Sequence, residues 1–189
     1  TPLCVCRNQR ILIHKTFEEL AERGRCSMGW FFGFKLHLII NDKGELLNFM
    51  FTLGNVDDRE LLRRTKFLKN IKGKLCADKG YIGRTLFENL FLDGIQLITK
   101  VKNNMRNSLM RVADKILLRK RTLIETVNDE LKNISRIEYS RRRSFNNFIA
   151  NSFSAIAAYC FFEKKPAIDV CFVYGGNFPY SKLFRTHVK

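Results

Sequence analysis

The sequence predicts an α/β fold in which an antiparallel hairpin continues into strands joined by helical crossovers. Three observations predict it. From Trp30 to Asn41, Phe32, Phe34, Leu36 and Leu38 alternate with Gly33, Lys35, His37 and Ile39, and a second apolar run from Glu45 to Leu53 follows turn residues. Between Lys74 and Val101 a short apolar run, a helical period and another apolar run succeed one another. A hydrophobic content of 46% over 189 residues is enough for one domain with a core.

Taken in order, Thr1 to Cys6 reads as the end of a strand or the loop leaving it, with Pro2 near its start. Arg7 to Arg25 reads as a loop with one or two turns of helix around Phe17 and Leu20. Asn41-Asp42-Lys43-Gly44 is turn chemistry and closes the hairpin, and Gly54-Asn55 ends it. Asp57 and Asp58 then cap a helix whose apolar positions are Leu61, Leu62, Thr65, Phe67 and Leu68.

Lys74 to Ala77 is predicted as a strand ending on Asp78, with Gly80 and Gly83 in the turn that follows. Thr85 to Leu92 is a short helix stopped by Asp93-Gly94, and Ile95 to Val101 is the next strand. Lys102 to Arg111 reads as a mobile basic loop. A long helix is expected over Leu117 to Ile137, with Ile124, Val127, Leu131 and Ile134 as its core stripe. Arg121, Glu125, Asn128 and Lys132 form a separate polar stripe. After Arg141-Arg142-Arg143 comes a last helix with Phe145, Phe148, Ile149, Phe153, Ile156 and Cys160 on one side. The expected division is a domain over 1–165 and an irregular tail over 166–189, where two of the three prolines and Gly175-Gly176 fall.

The net charge of +16 points to a polyanionic partner, and nucleic acid is the first expectation. Lys100 to Arg143 carries 13 basic and 5 acidic residues, so half of the surplus sits in under a quarter of the length. Six cysteines without paired C-x2-C units, and three scattered histidines, argue against a zinc site, and the thiols read as reduced. Phe145 to Phe162 is the most apolar stretch, but three asparagines and two serines interrupt it, which excludes a membrane span there. The expectation is a soluble, cytosolic protein.

Phosphodiester chemistry is commonly served by two divalent cations held by carboxylates, and hard oxygen ligands suit Mg²⁺. Asp78 at a strand end and Glu125 on a flanking helix fit two of the three carboxylate positions that such a sheet provides. Arg121, one turn before Glu125, and Lys132, seven residues after it, would hold phosphate beside the metal.

Gly33-Phe34-Lys35-Leu36-His37-Leu38, Ala77-Asp78-Lys79-Gly80-Tyr81 and Arg121-x3-Glu125-x6-Lys132 together resemble the catalytic domain of bacterial insertion-sequence transposases of the DDE class. The resemblance implies a ribonuclease H-like fold of the retroviral integrase superfamily, a mixed sheet flanked by helices. It implies Asp78 and Glu125 as the second and third metal ligands and Mg²⁺ as the cofactor, in a two-metal site in the intact parent. Arg121 and Lys132 are DNA-contacting by the same resemblance, and the neighbouring Lys79, Arg119 and Lys120 are assigned to DNA binding with them. The partners implied are element ends and target DNA, with a homodimer as the assembly and the bacterial nucleoid as the location.

Two departures accompany it. The family's tyrosine three residues before the arginine is Leu118 here, and its first aspartate would precede Thr1. The expectation is therefore a truncated, inactive copy, with a non-catalytic nucleic-acid-binding protein or a nuclease of the same fold as the alternatives.

Overall fold

The computed structural model describes residues 1–63, 66–100, 110–119, 121–138 and 144–167, and the backbone of 185–188. It is a mixed α/β structure that divides into two compact units. The first unit holds Thr1–His37, Phe49–Asp57 and Thr126–Lys164; the second holds Leu38–Asn48, Asp58–Glu125 and Lys165–Lys189.

In the first unit, β1 (Pro2–Cys6) and β2 (Glu22–Cys26) each pair antiparallel with β3 (Gly29–Ile40), whose first nine residues belong here. β2 falls where the sequence suggests only loop, because its Glu-Arg-Gly-Arg-Cys run has no apolar alternation to reveal it. What recommends that run as a strand is main-chain pairing, from Glu22↔Gly33 to Cys26↔Gly29. Gly33 has φ +153°, and a Cβ there would stand 2.1 Å from the Leu3 carbonyl oxygen, so the close approach of β1 depends on glycine.

The core of this unit is aromatic. Phe34 stacks on Phe148 with ring centroids 4.9 Å apart, and Phe17 meets both edge-on. Phe148 lies on α5 (Phe145–Cys160), where Ser144 accepts a hydrogen bond from the Asn147 amide and caps the start. The buried stripe of that helix is Phe148, Ser152, Ala155, Ile156 and Tyr159. Phe153 and Cys160, expected on the same side, are exposed; a phase set on Ile156 leaves them off the stripe, and Phe153 instead meets Phe49 and Phe51.

His37 is fully buried, with its Nε2 2.9 Å from Thr52 Oγ1. Burial drives its pKa down to about 3, so the folded chain holds a neutral imidazole where the unfolded chain takes up a proton near pH 6.5. The contribution is complete above about pH 6.5 and is lost progressively as pH falls toward 3. His37→Gln is expected to flatten the acid limb of the stability curve between pH 7 and 4.5 in urea titrations, and an unchanged slope would remove His37 as its source.

In the second unit, the last three residues of β3 lead into a turn where Asn41 Oδ1 accepts from the amides of Lys43 and Glu45, at 3.0 and 2.9 Å. The chain returns along β4 (Leu46–Leu53), which pairs with β3 as the predicted hairpin. α1 (Asp58–Arg63) has Asp58 and Glu60 in its first turn. It is shorter than expected: Phe67 and Leu68 are buried from turns beyond its end, while Thr65 lies outside the described residues.

β5 (Gly73–Ala77), α2 (Arg84–Leu92) and β6 (Ile95–Thr99) form a strand–helix–strand unit, and the two strands are parallel from Gly73↔Ile95 to Ala77↔Thr99. The expected long helix is two: α3 (Val112–Arg119) and α4 (Thr122–Asn133). Ile124, Val127 and Leu131 are buried as expected. Ile134 follows the end of α4 and is 63% exposed, and Ile137 is buried in its place. Leu117 and Leu118 of α3 pack with Cys76 and Ile98. A last strand, β7 (Arg185–Val188), arises within the stretch read as irregular; it runs parallel to β5 and antiparallel to Ile39–Ile40 of β3. Among the described residues no helix is long and apolar enough to cross a membrane. Among the described residues Cys4, Cys6, Cys26, Cys76 and Cys160 form no disulfide. Most of the basic loop 102–111, and 141–143, lie outside the described residues.

Candidate carboxylate site

Leu75, Cys76 and Ala77 of β5 are buried, and the chain leaves the core at Asp78. There the backbone is extended, and Asp78 Oδ1 accepts a hydrogen bond of 2.7 Å from the Lys79 amide, capping the 3-10 turn Lys79–Tyr81. Buried Tyr81 anchors that turn, and its amide donates to the Asp78 carbonyl at 3.1 Å. Asp78 is therefore both a capping aspartate and a carboxylate presented at the strand end, its side chain 53% exposed.

The break between α3 and α4 brings the other half of the site. The Arg121 amide donates to the Leu118 carbonyl, and the Arg121 carbonyl accepts from Ile124, so Arg121 stands at the junction of the two helices. Its guanidinium reaches both carboxylates: Nη1 is 2.5 Å from Asp78 Oδ1 and Nη2 is 3.2 Å from Glu125 Oε1. The second contact is the one-turn spacing that makes i and i+4 side chains neighbours. Three residues singled out from the sequence thus meet in one cluster within the second unit, carrying two negative charges and one positive.

The other predicted residues stand differently. Lys79 is exposed beside Asp78, its amide committed to the cap. Arg119 is exposed at the end of α3, and Lys120 lies outside the described residues. Lys132 belongs to the first unit, where its Nζ pairs with Glu138 Oε1 at 2.8 Å. Asn128, expected on the polar stripe, is 3% exposed, so that stripe is not a continuous solvent-facing surface.

One ionic feature has no signal in the sequence pattern. Lys74 Nζ lies 2.6 Å from Asp114 Oδ1, with the side chains only 17% and 7% exposed. Asp114 in the first turn of α3 reads locally as a solvated helix-start carboxylate; only the tertiary fold buries it. An open cavity of about 600 Å³ in the same unit, lined by Leu62, Lys69, Lys72, Leu86 and Asp93 among others, includes none of Asp78, Arg121 and Glu125.

Asp78 and Glu125 offer hard oxygen donors, half exposed and open to solvent, which fits a cation of the Mg²⁺ kind. Among the described residues no group of three or more His, Cys, Asp or Glu gathers to hold a metal. The family model described as Transposase DDE domain matches residues 1–145. The chain belongs to the DDE transposase family. The mixed α/β architecture is consistent with a DDE domain, and the family implies DNA as the partner and divalent metal as the usual cofactor. No curated protein and no solved structure matches the chain.

Proposed function

We propose that this DDE domain serves metal-dependent cleavage and strand transfer at the ends of a transposable element, with a ribonuclease H-like arrangement of its strands. The observation that carries the reading is the convergence of Asp78, Arg121 and Glu125, drawn from the end of β5 and the start of α4. In this reading Asp78 and Glu125 would hold Mg²⁺, which would supply charge stabilisation at phosphate and an activated water. Arg121, which pairs with both carboxylates, would be the cation available to a phosphate oxygen if a metal took its place between them. Exposed Lys79 and Arg119 would meet the DNA backbone beside the site, whereas Lys120 and Lys132 are proposed for DNA contact on the family resemblance alone. The finer proposal is that turnover needs a third carboxylate beside Asp78 and Glu125.

A second reading is favoured by the same contacts. Asp78 and Glu125 are both ion-paired to Arg121, as a non-catalytic nucleic-acid-binding protein would need for structure alone.

Mn²⁺ titration of the full chain, followed by paramagnetic broadening, separates the two. The expected result is broadening centred on Asp78 and Glu125, with an affinity on the order of millimolar for so few ligands, lost in Asp78→Asn and in Glu125→Gln. Broadening spread over other acidic side chains, or unchanged by either substitution, would favour the binding protein. In either reading DNA affinity should fall steeply with salt, since each phosphate contact releases counterions.

A further inference from the structure

β5 is an interior strand: Leu75, Cys76 and Ala77 are at most 1% exposed, and β6 covers one edge. An interior strand with its other edge open would leave main-chain N–H and C=O groups without partners. The four residues of β7 close that edge, in register from Lys74↔Arg185 to Ala77↔Val188. On their far side Val188 and His187 pair with the fully buried Ile39 and Ile40 of β3. The ladder ends one residue before Asp78.

Arg-Thr-His-Val has no run of Val, Ile or Leu to mark it as a strand in the sequence. The main-chain ladder is what recommends it. The direction of the Asp78 side chain is set by the backbone that β5 hands to the 3-10 turn, since Oδ1 is already committed to the Lys79 amide.

We propose that β7 is a positioning strand for the carboxylate site: its pairing fixes the end of β5 and thereby the backbone from which Asp78 projects. This rests on the two-carboxylate reading for its functional meaning. It makes residues 185–188 part of the site's support rather than an appendage, and it assigns them no contact with the metal.

The test is His187→Pro in the full chain, because proline removes a main-chain donor and is not tolerated inside a ladder. Amides of Leu75 to Asp78 are expected to exchange at least tenfold faster, while those of Leu3 to Cys6 in the first unit keep their rates. Mn²⁺ affinity at Asp78 is expected to fall about tenfold, and His187→Val, which suits a strand, should restore both. Unchanged exchange in β5, or a His187→Val variant as impaired as the proline one, would overturn the proposal. Should His187→Pro unfold the whole chain, His187→Gly gives the graded comparison, read against the same two outcomes. If the parent protein shows no Mn²⁺ broadening at Asp78, the metal reading fails on its own, and exchange together with the Asp78 carboxyl chemical shift still decides the strand.

Discussion

Lys74→Met is expected to cost about 3–5 kcal/mol of folding free energy, the usual penalty for leaving one member of a buried ion pair without its partner. Lys74 enters from β5 and Asp114 from the first turn of α3, and their 2.6 Å contact is largely shielded from water. Methionine keeps most of the lysine stem's volume, so the loss isolates charge from packing. The double variant Lys74→Met/Asp114→Leu should recover most of the stability, since an apolar pair of similar volume spares both desolvation costs. Urea denaturation of the parent, both single variants and the double variant gives the coupling directly. A Lys74→Met variant within about 0.5 kcal/mol of the parent would class the pair with surface bridges, which are worth little.

That pair also marks where the sequence stops being informative. The hairpin was legible because Phe32, Phe34, Leu36 and Leu38 alternate, but β3 is not a strand with one apolar face, since Phe31, His37 and Ile39 on its other face are buried as well. β5, α2 and β6 were legible because glycine and aspartate punctuate them. Two kinds of element escaped. β2 and β7 are short and polar; what defines them is pairing with β3 and β5, which comes from elsewhere in the chain and leaves no period of its own. The division of the expected long helix into α3 and α4 escaped for another reason: the apolar positions Leu117, Leu118, Leu123 and Ile124 all remain buried across the junction, so composition gives no break.

At the site, the sequence suggested Asp78, Arg121 and Glu125 through spacing and resemblance, and they do meet. What spacing could not supply was the arginine's position between the carboxylates. That depends on how the end of β5 and the start of α4 come together. Nor could it place Lys132, which one helical stripe joins to Glu125 on paper but which pairs with Glu138 in the fold.

Arg121 is where the two functional readings part, and Arg121→Met is expected to separate them. A guanidinium bound to both Asp78 and Glu125 competes with any divalent cation for the same oxygens. At contact distance, with an effective dielectric near 20, such a competitor is worth up to about 4 kcal/mol. The carboxylates are half exposed, so solvent screening reduces this to about 1–2 kcal/mol. Removing it should tighten Mn²⁺ binding about tenfold, which corresponds to about 1.4 kcal/mol. The same substitution takes one cation from the DNA surface, so the salt dependence of DNA binding should become shallower by about one counterion. In a metal site the two effects run in opposite directions: metal binds better and DNA binds worse. In a purely structural ion-pair cluster Arg121→Met instead lowers stability and leaves Mn²⁺ binding weak and unlocalised, because two repelling carboxylates freed of their arginine swing apart into solvent. Calorimetric Mn²⁺ titration beside DNA binding at several salt concentrations reads both arms. Tighter metal with weaker DNA makes Arg121 the switch between the resting and loaded states of the site.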